Sequence, residues 1–162
     1  MTDGMTDGMT DWRIREIAEA DARAISTWRY PEPYSMYDSS ADDVDILLDP
    51  DNAYFAVVDE SGELVGHGCF GAEARVPGGS YATDAVDWGT GMRPDLTGRG
   101  HGLAFFRLVI DEAHTRWPGK PLRTTVAAHN ERSMHLVRKC GFQEVEVFRD
   151  TSGREFVVLM RD

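Results

Sequence analysis

The 162-residue sequence has little cysteine: only Cys69 and Cys140, neither of them in a metal-ligand pair. That scarcity excludes a disulfide framework and points to a reduced, cytoplasmic setting. His67, His114 and His135 are too scattered to form a metal-ligand set, so no metal is expected. No apolar run approaches the roughly 20 residues that span a bilayer. The N-terminus lacks the basic-then-apolar order of a secretory signal, and no membrane partner is expected. Basic residues are also scarce, with 17 Lys and Arg against 28 Asp and Glu, a net charge of -11. A chain so acidic repels polyanions, which argues against nucleic acid as a partner. It suits a cationic or amine-bearing substrate, or serves only to keep the protein in solution.

What is present fits an ordinary soluble domain. Residues 1–10 repeat Met-Thr-Asp-Gly and offer no apolar face to bury, so residues 1–11 are expected to be disordered. One domain is expected over 12–162. Alternation from Trp12 to Ile17 reads as a first strand, and Asp21 is positioned to cap a helix running through Ile25 and Trp28. The segment Tyr30-Pro31-Glu32-Pro33-Tyr34-Ser35-Met36-Tyr37 excludes a regular helix. Its tyrosines, Tyr30, Tyr34 and Tyr37, are candidates for the wall of a substrate pocket, with a lid over the core as the plainer alternative. A short helix is expected over 42–48. Strands over 54–58 and 64–70 flank a turn, and a fourth strand is expected over 81–92. Further elements are a helix over 100–117, a strand over 122–128, a helix from Asn130 to Cys140, and a closing hairpin over 145–160. This order predicts a mixed α/β fold.

The fourth strand runs into Met92-Arg93-Pro94-Asp95-Leu96-Thr97-Gly98-Arg99-Gly100-His101-Gly102. Glycines at alternate positions leave a backbone whose N–H groups can turn toward one centre. Leu103, Phe106, Ile110, Ala113 and Trp117 then recur at helical spacing. A strand end, a glycine loop and a helix N-terminus in that order make a cradle for an anion such as pyrophosphate. The spacing fits neither the Gly-Lys-Ser/Thr phosphate loop nor the Gly-x-Gly-x-x-Gly dinucleotide fingerprint. Arg93, Arg99, His101 and Arg107 supply local positive charge in an acidic chain.

A second landmark runs from Ala128 to Phe142, a helix opened by Asn130 and stopped by Gly141-Phe142. By itself it is a capped helix with an apolar anchor. Together the two segments resemble the GNAT superfamily of acyl-CoA-dependent N-acetyltransferases. The first is similar to its Arg/Gln-x-x-Gly-x-Gly/Ala loop at 97–102. The second is similar to its Asn-x-x-Ala/Ser…Leu-Tyr…Gly-Phe helix at Asn130, Ser133, Leu136, Gly141 and Phe142. Thr97 stands where Arg or Gln is usual, and Val137 where many members carry the Tyr that protonates the departing thiolate.

The resemblance implies a single mixed, mostly antiparallel sheet with helices on both faces and strands 4 and 5 splayed around acetyl-CoA. It implies transfer of an acetyl group to a primary amine, on a small molecule or a peptide, by direct attack in a ternary complex. The amides of Thr97, Gly98, Arg99, Gly100, His101 and Gly102 would hold the pyrophosphate. The Met92 backbone and Asn130 would meet the pantetheine, and Arg138 or Lys139 the 3′-phosphate unless they form only a charged helix end. An amine with a pKa near about 10.4 is neutral in only about one molecule in a thousand at pH 7, so a proton acceptor is needed. Asp87 is the first candidate, with Asp84 beside it, and solvent-facing carboxylates are the plainer reading. Ser133, Cys140, a loop tyrosine or water could replace the absent acid. The chain could act as a monomer or a homodimer. The rival readings are a non-catalytic acyl-CoA-binding or sensor domain and a nucleotide-phosphate binding module.

Overall fold

A computed structural model describes residues 11–162, so the expectation for the repeat before Asp11 lies outside the described residues. Seven strands form one sheet: β1 Arg13–Glu16, β2 Tyr54–Val58, β3 Leu64–Phe70, β4 Val86–Met92, β5 Leu122–Ala127, β6 Gln143–Arg149 and β7 Glu155–Arg161. They lie in the order β1-β2-β3-β4-β5-β7-β6. Every neighbouring pair is antiparallel except β4 and β5. The helices are α1 Glu19–Ile25, α2 Val44–Leu48, α3 Gly102–Arg116 and α4 Glu131–Lys139.

The sheet is covered on both faces. Phe105, Phe106, Val109, Ile110 and Ala113 form the buried stripe of α3, and Met134 and Val137 that of α4. They pack with Phe55, Val57, Trp88, Val157 and Leu159 into the main core. A second cluster of Ala22, Ile25 and Leu47 gathers Trp28, Tyr54 and Leu64 under α1 and α2. Trp88 meets Phe106 and Phe142 edge-on at ring separations of 5.4 and 5.6 Å, joining β4 to the main core.

Three expectations need correction. Asp21 is not the cap of α1: Ala18 takes that position, and Asp21 sits one turn inside. From there its carboxylate accepts the Ala18 N–H at 2.8 Å and both Arg15 guanidinium nitrogens at 2.6 and 3.0 Å. The helix ends at Ile25, short of Trp28. The fourth strand begins at Val86 rather than Tyr81, because the residues before it are turned away by side-chain ties. Tyr81 adopts φ 44°, and its hydroxyl meets the Val76 N–H at 2.9 Å and Thr125 Oγ1 at 2.8 Å.

The feature that positions the site is the short partnership between β4 and β5. Only Val86 with Leu122 and Asp87 with Arg123 pair in parallel, after which the strands diverge. Beyond that point the Trp88 carbonyl accepts the Thr124 hydroxyl at 2.9 Å in place of a ladder bond. The base of the opening is pinned by Asp87, 1% exposed, and Arg123, 2% exposed. Asp87 Oδ1 accepts from Arg123 Nε at 2.6 Å, and Oδ2 accepts from Arg123 Nη2 at 2.9 Å and Arg75 Nε at 2.8 Å. Both guanidinium groups lie over the Tyr81 ring, at 5.5 and 5.1 Å from its centroid.

Removing one partner of a buried pair leaves an uncompensated charge, at a cost of about 3–5 kcal/mol. Asp87→Ala should therefore lower unfolding free energy by ~3 kcal/mol or more in urea titration, and an unchanged midpoint would contradict the pinning role. The hydrogen bonds from Arg15 hold the Asp21 carboxyl below its usual range. Its contribution is then complete above the unfolded-state pKa near about 4 and is lost as pH falls through the depressed folded value. The stability difference between wild type and Asp21→Ala should be largest near neutral pH and shrink on acidification, as read by urea titrations at stepped pH.

Candidate active site

Where β4 and β5 part, a cleft of about 800 Å³ opens between the α3–α4 face and the α1–α2 face. The glycine loop, α4 and the tyrosine segment all reach it. Met92, Thr97, Gly98, Gly100 and Gly102 line it, as do Asn130 and Ser133 at the start of α4. Tyr30, Tyr34 and Tyr37 line it as well.

The loop has the backbone an anion requires. Gly98 and Gly100 adopt φ 74° and 88°, a region closed to most side-chain-bearing residues. The Thr97 N–H is bound to the Pro94 carbonyl at 3.3 Å. Among the described residues, no acceptor meets the main-chain N–H groups of residues 98–104. They gather at the positive end of the 15-residue α3. A Cβ at Gly102 would lie 2.5 Å from Leu136 Cδ1, so this close seating of loop on α4 requires glycine.

The side chains of Arg99 and His101 are not part of the cleft wall. His101 instead lies against the Trp12 ring, with centroids 5.0 Å apart. Arg93 is engaged by Glu63 at 3.0 Å, Asp95 at 2.6 Å and the Leu64 carbonyl at 2.8 Å. The cation that the sequence reading missed is Arg132. It lines the cleft, lies 5.0 Å above the Tyr34 ring, and its Nη1 would be 2.8 Å from a Cβ at Gly98. Its place in the first turn of the Asn130-capped helix was the available signal. Lys139 also lines the cleft, whereas Arg138 pairs with Glu144.

Alternation in an antiparallel ladder gives β4 its second useful edge. The Arg93 N–H reaches the Val65 carbonyl at 2.8 Å and the Gly71 N–H the Asp87 carbonyl at 2.9 Å, so odd-numbered positions of β4 face β3. The main-chain groups of Thr90 and Met92 therefore face the opening. The Met92 carbonyl accepts the Tyr30 hydroxyl at 2.6 Å, with the Met92 N–H left on the same edge.

The tyrosine segment joins both sides of the opening. Tyr30 holds β4, while Tyr34 stacks on His129 at 6.2 Å and Tyr37 receives the Asn130 Nδ2 donor at 3.2 Å. Asn130 Oδ1 accepts the Ser133 N–H at 3.1 Å, so the carboxamide both caps α4 and fixes the segment. Burial raises the pKa of the Tyr30 and Tyr37 hydroxyls, which keeps them protonated.

The candidate proton acceptors fall elsewhere. Asp87 does not line the cleft, and its carboxylate is held by the two arginines. Asp84 is exposed and paired with Lys120 at 2.9 Å. Val137, 1% exposed, presents only hydrocarbon. Burial pushes the Cys69 thiol up to about 12, so at pH 7 it is a thiol and not a nucleophilic thiolate. Among the described residues no three His, Cys, Asp or Glu side chains gather to hold a metal, and no helix is long and apolar enough to cross a membrane.

Comparison with known proteins bears on the fold and the family. The fold resembles that of a spermidine N-acetyltransferase chimera from Vibrio cholerae and hSSAT, at 20% identity and a TM-score of 0.72, covering 93% of this chain and 95% of that one. It also resembles an acetyltransferase of the GNAT family from Bacillus anthracis, at 13% identity and a TM-score of 0.72, covering 94% and 95%. No curated protein sequence matches the chain. Residues 15–142, well over half of the chain, match the Acetyltransferase (GNAT) family, and the chain belongs to that family.

Proposed function

We propose that this chain moves an acetyl group from acetyl-CoA to a primary amine by direct attack within a ternary complex. The observation that carries this reading is the row of N–H groups over residues 98–104 that meet no acceptor among the described residues, set where a helix N-terminus meets the opened sheet. These amides bind the pyrophosphate, with Arg132 and Lys139 adding positive charge along the same wall. Acetyl-CoA supplies a thioester whose carbonyl carbon accepts the nucleophile.

The chain's own groups orient that reaction. The Met92 and Thr90 main chain on the open edge of β4 pairs with the pantetheine amides and polarises the thioester carbonyl. The Asn130 carboxamide is already committed to the α4 cap and to Tyr37, so its contribution is to shape the wall rather than to bind by itself. The amine nitrogen forms a C–N bond to the carbonyl carbon, the C–S bond breaks, the nitrogen loses a proton to water in the cleft, and the sulfur leaves as thiolate or thiol. A thiol with a pKa near about 8.5 is a tolerable leaving group at neutral pH, so Val137 costs rate without forbidding transfer. Ser133, one turn before Val137 and lining the cleft, is the hydroxyl we assign to protonate the departing sulfur.

Asp87 fits a positioning role better than that of a base, because its carboxylate is held by Arg123 and Arg75. The acidic chain and the aromatic cleft favour a cationic amine as acceptor, and a spermidine acetyltransferase is among the similar folds.

Gly100→Glu places bulk and negative charge at a position of φ 88° in the cradle. Calorimetric titration should show acetyl-CoA affinity reduced by at least about tenfold, equivalent to ~1.4 kcal/mol; unchanged affinity in a folded variant would refute the loop assignment. Because Cys69 is held protonated, the Cys69→Ala variant should still release CoA thiol in an amine screen. Loss of turnover with retained folding would instead indicate a covalent acyl-cysteine route. Tight acetyl-CoA binding with no thiol release to any amine would favour the sensor alternative, which Val137 makes specific.

A further inference from the structure

The end of the cleft beneath α1 and α2 carries side chains that the transfer reading leaves without a role. Glu73 stands on the short turn Ala72–Ala74 after β3, and among the described residues it is the one carboxylate lining the cleft. Its Oε1 accepts the Tyr54 hydroxyl at 3.1 Å. Inward from Tyr54 lies the His67 ring at 6.3 Å, itself 5.9 Å from Trp28. His67 closes on β4, where a Cβ at Gly91 would fall 2.4 Å from its Nε2. An aromatic wall thus runs from β4 at Gly91 out to the Glu73 carboxylate. The cations of the cleft, Arg132 and Lys139, belong to α4 at the other side. His67 adds no charge to this wall at neutral pH, since burial pushes its pKa down to about 4.

We propose that the acceptor is a dication, such as an α,ω-diamine, whose reacting amine lies beside β4 and whose distal ammonium is seated by Glu73 and Tyr54. The reasoning rests on the acetyl-transfer reading above. A carboxylate beside the attacking nitrogen would stabilise its protonated, unreactive form. The turn that carries Glu73 packs on Gly89, where a Cβ would lie 3.5 Å from Ala74 Cβ, three residues along β4 from the Met92 edge, so its carboxylate holds a cation away from the reacting nitrogen. The hydrogen bond from Tyr54 fixes the Glu73 carboxylate at the rim, and the rings between offer an apolar and cation-tolerant path for a methylene chain. Such an acceptor also accounts for opposite charges lining one cleft: cations where a diphosphate binds, an anion where the amine enters.

The test is a set of steady-state assays by thiol release, using α,ω-diamines of about three to six carbons and n-alkylamines of matched length. The wild type should favour diamines. Glu73→Gln should raise the diamine KM by about tenfold, in the range of a lost charge-assisted contact, and leave the alkylamine and acetyl-CoA values within about twofold. Tyr54→Phe should give a smaller rise with the same selectivity. Glu73 is exposed, so its variant should keep the wild-type thermal midpoint. Equal effects on diamines and alkylamines, or none on either, would overturn the assignment. If the wild type binds acetyl-CoA but acetylates no amine, the transfer reading fails separately. Titration of a diamine into the acetyl-CoA-loaded protein then decides the seat: binding lost in Glu73→Gln supports it, and equal binding overturns it.

Discussion

The structure depends on a parallel strand pair that is not allowed to continue. β4 and β5 share two residue pairs and then separate, which would ordinarily leave a row of buried main-chain groups without partners. Three devices make the opening tolerable. The Thr124 hydroxyl meets the first orphaned carbonyl, at Trp88. The Tyr30 hydroxyl meets another, at Met92. The ion pair of Asp87 and Arg123 locks the last closed step below them. A buried pair of this kind contributes modestly to net stability compared with a well-packed hydrocarbon substitute, but it strongly penalises any arrangement that separates its members. Registry is its natural role here. Sliding β5 by one residue against β4 would strand both charges.

The opening is also electrically sorted. In a chain of net charge -11, the proposed binding of a diphosphate in this cleft cannot rely on the overall field, which opposes it. Local sources must prevail, and they are of short range: the loop amides, a helix end, Arg132 and Lys139. With a screening length near about 8 Å, the acidic surface beyond the cleft weakens this only slightly. Two other cations are engaged elsewhere, Arg93 by Glu63 and Asp95 and Arg138 by Glu144.

What the sequence discloses and what it hides divide along the range of the interactions. The glycine loop and the Asn130 cap are local, written within one turn of chain, so their pattern is readable and the structure shows both. The layout of strands follows from alternation and turn residues, and the family's likeness supplies the splay. Asp21 misleads because a carboxylate near a helix start can cap from outside or reach back from inside. Arg15, six residues upstream, decides for the latter. Asp87 misleads for a longer-range reason. Its partner Arg123 lies 36 residues away, and nothing local distinguishes a carboxylate held by two arginines from one facing a substrate. The proline-broken segment reads in sequence as either a pocket wall or a lid, and its tyrosines line the cleft. Their bracing of β4 against α4 is not legible there, because it joins residues 62 and 93 positions apart.

The two proton movements of the proposed reaction differ in difficulty, and the cleft reflects that difference. An alkylammonium with a pKa near about 10.4 must lose a proton before it attacks, whereas a thiolate with a conjugate pKa near about 8.5 leaves with little help. On the leaving-group side the chain offers Val137 and Leu136, hydrocarbon with a single serine nearby. On the acceptor side it gathers Tyr30, Tyr54, His67 and Glu73. A neutral imidazole there avoids repelling the incoming cation, and a shielded apolar wall favours the uncharged form of the nitrogen that comes to rest against it. The same desolvation that costs binding of the reacting ammonium thus lowers its pKa toward the working range. An acceptor with a second charge offsets that cost at a distance from the reacting atom, which is where a carboxylate does no harm to the nucleophile.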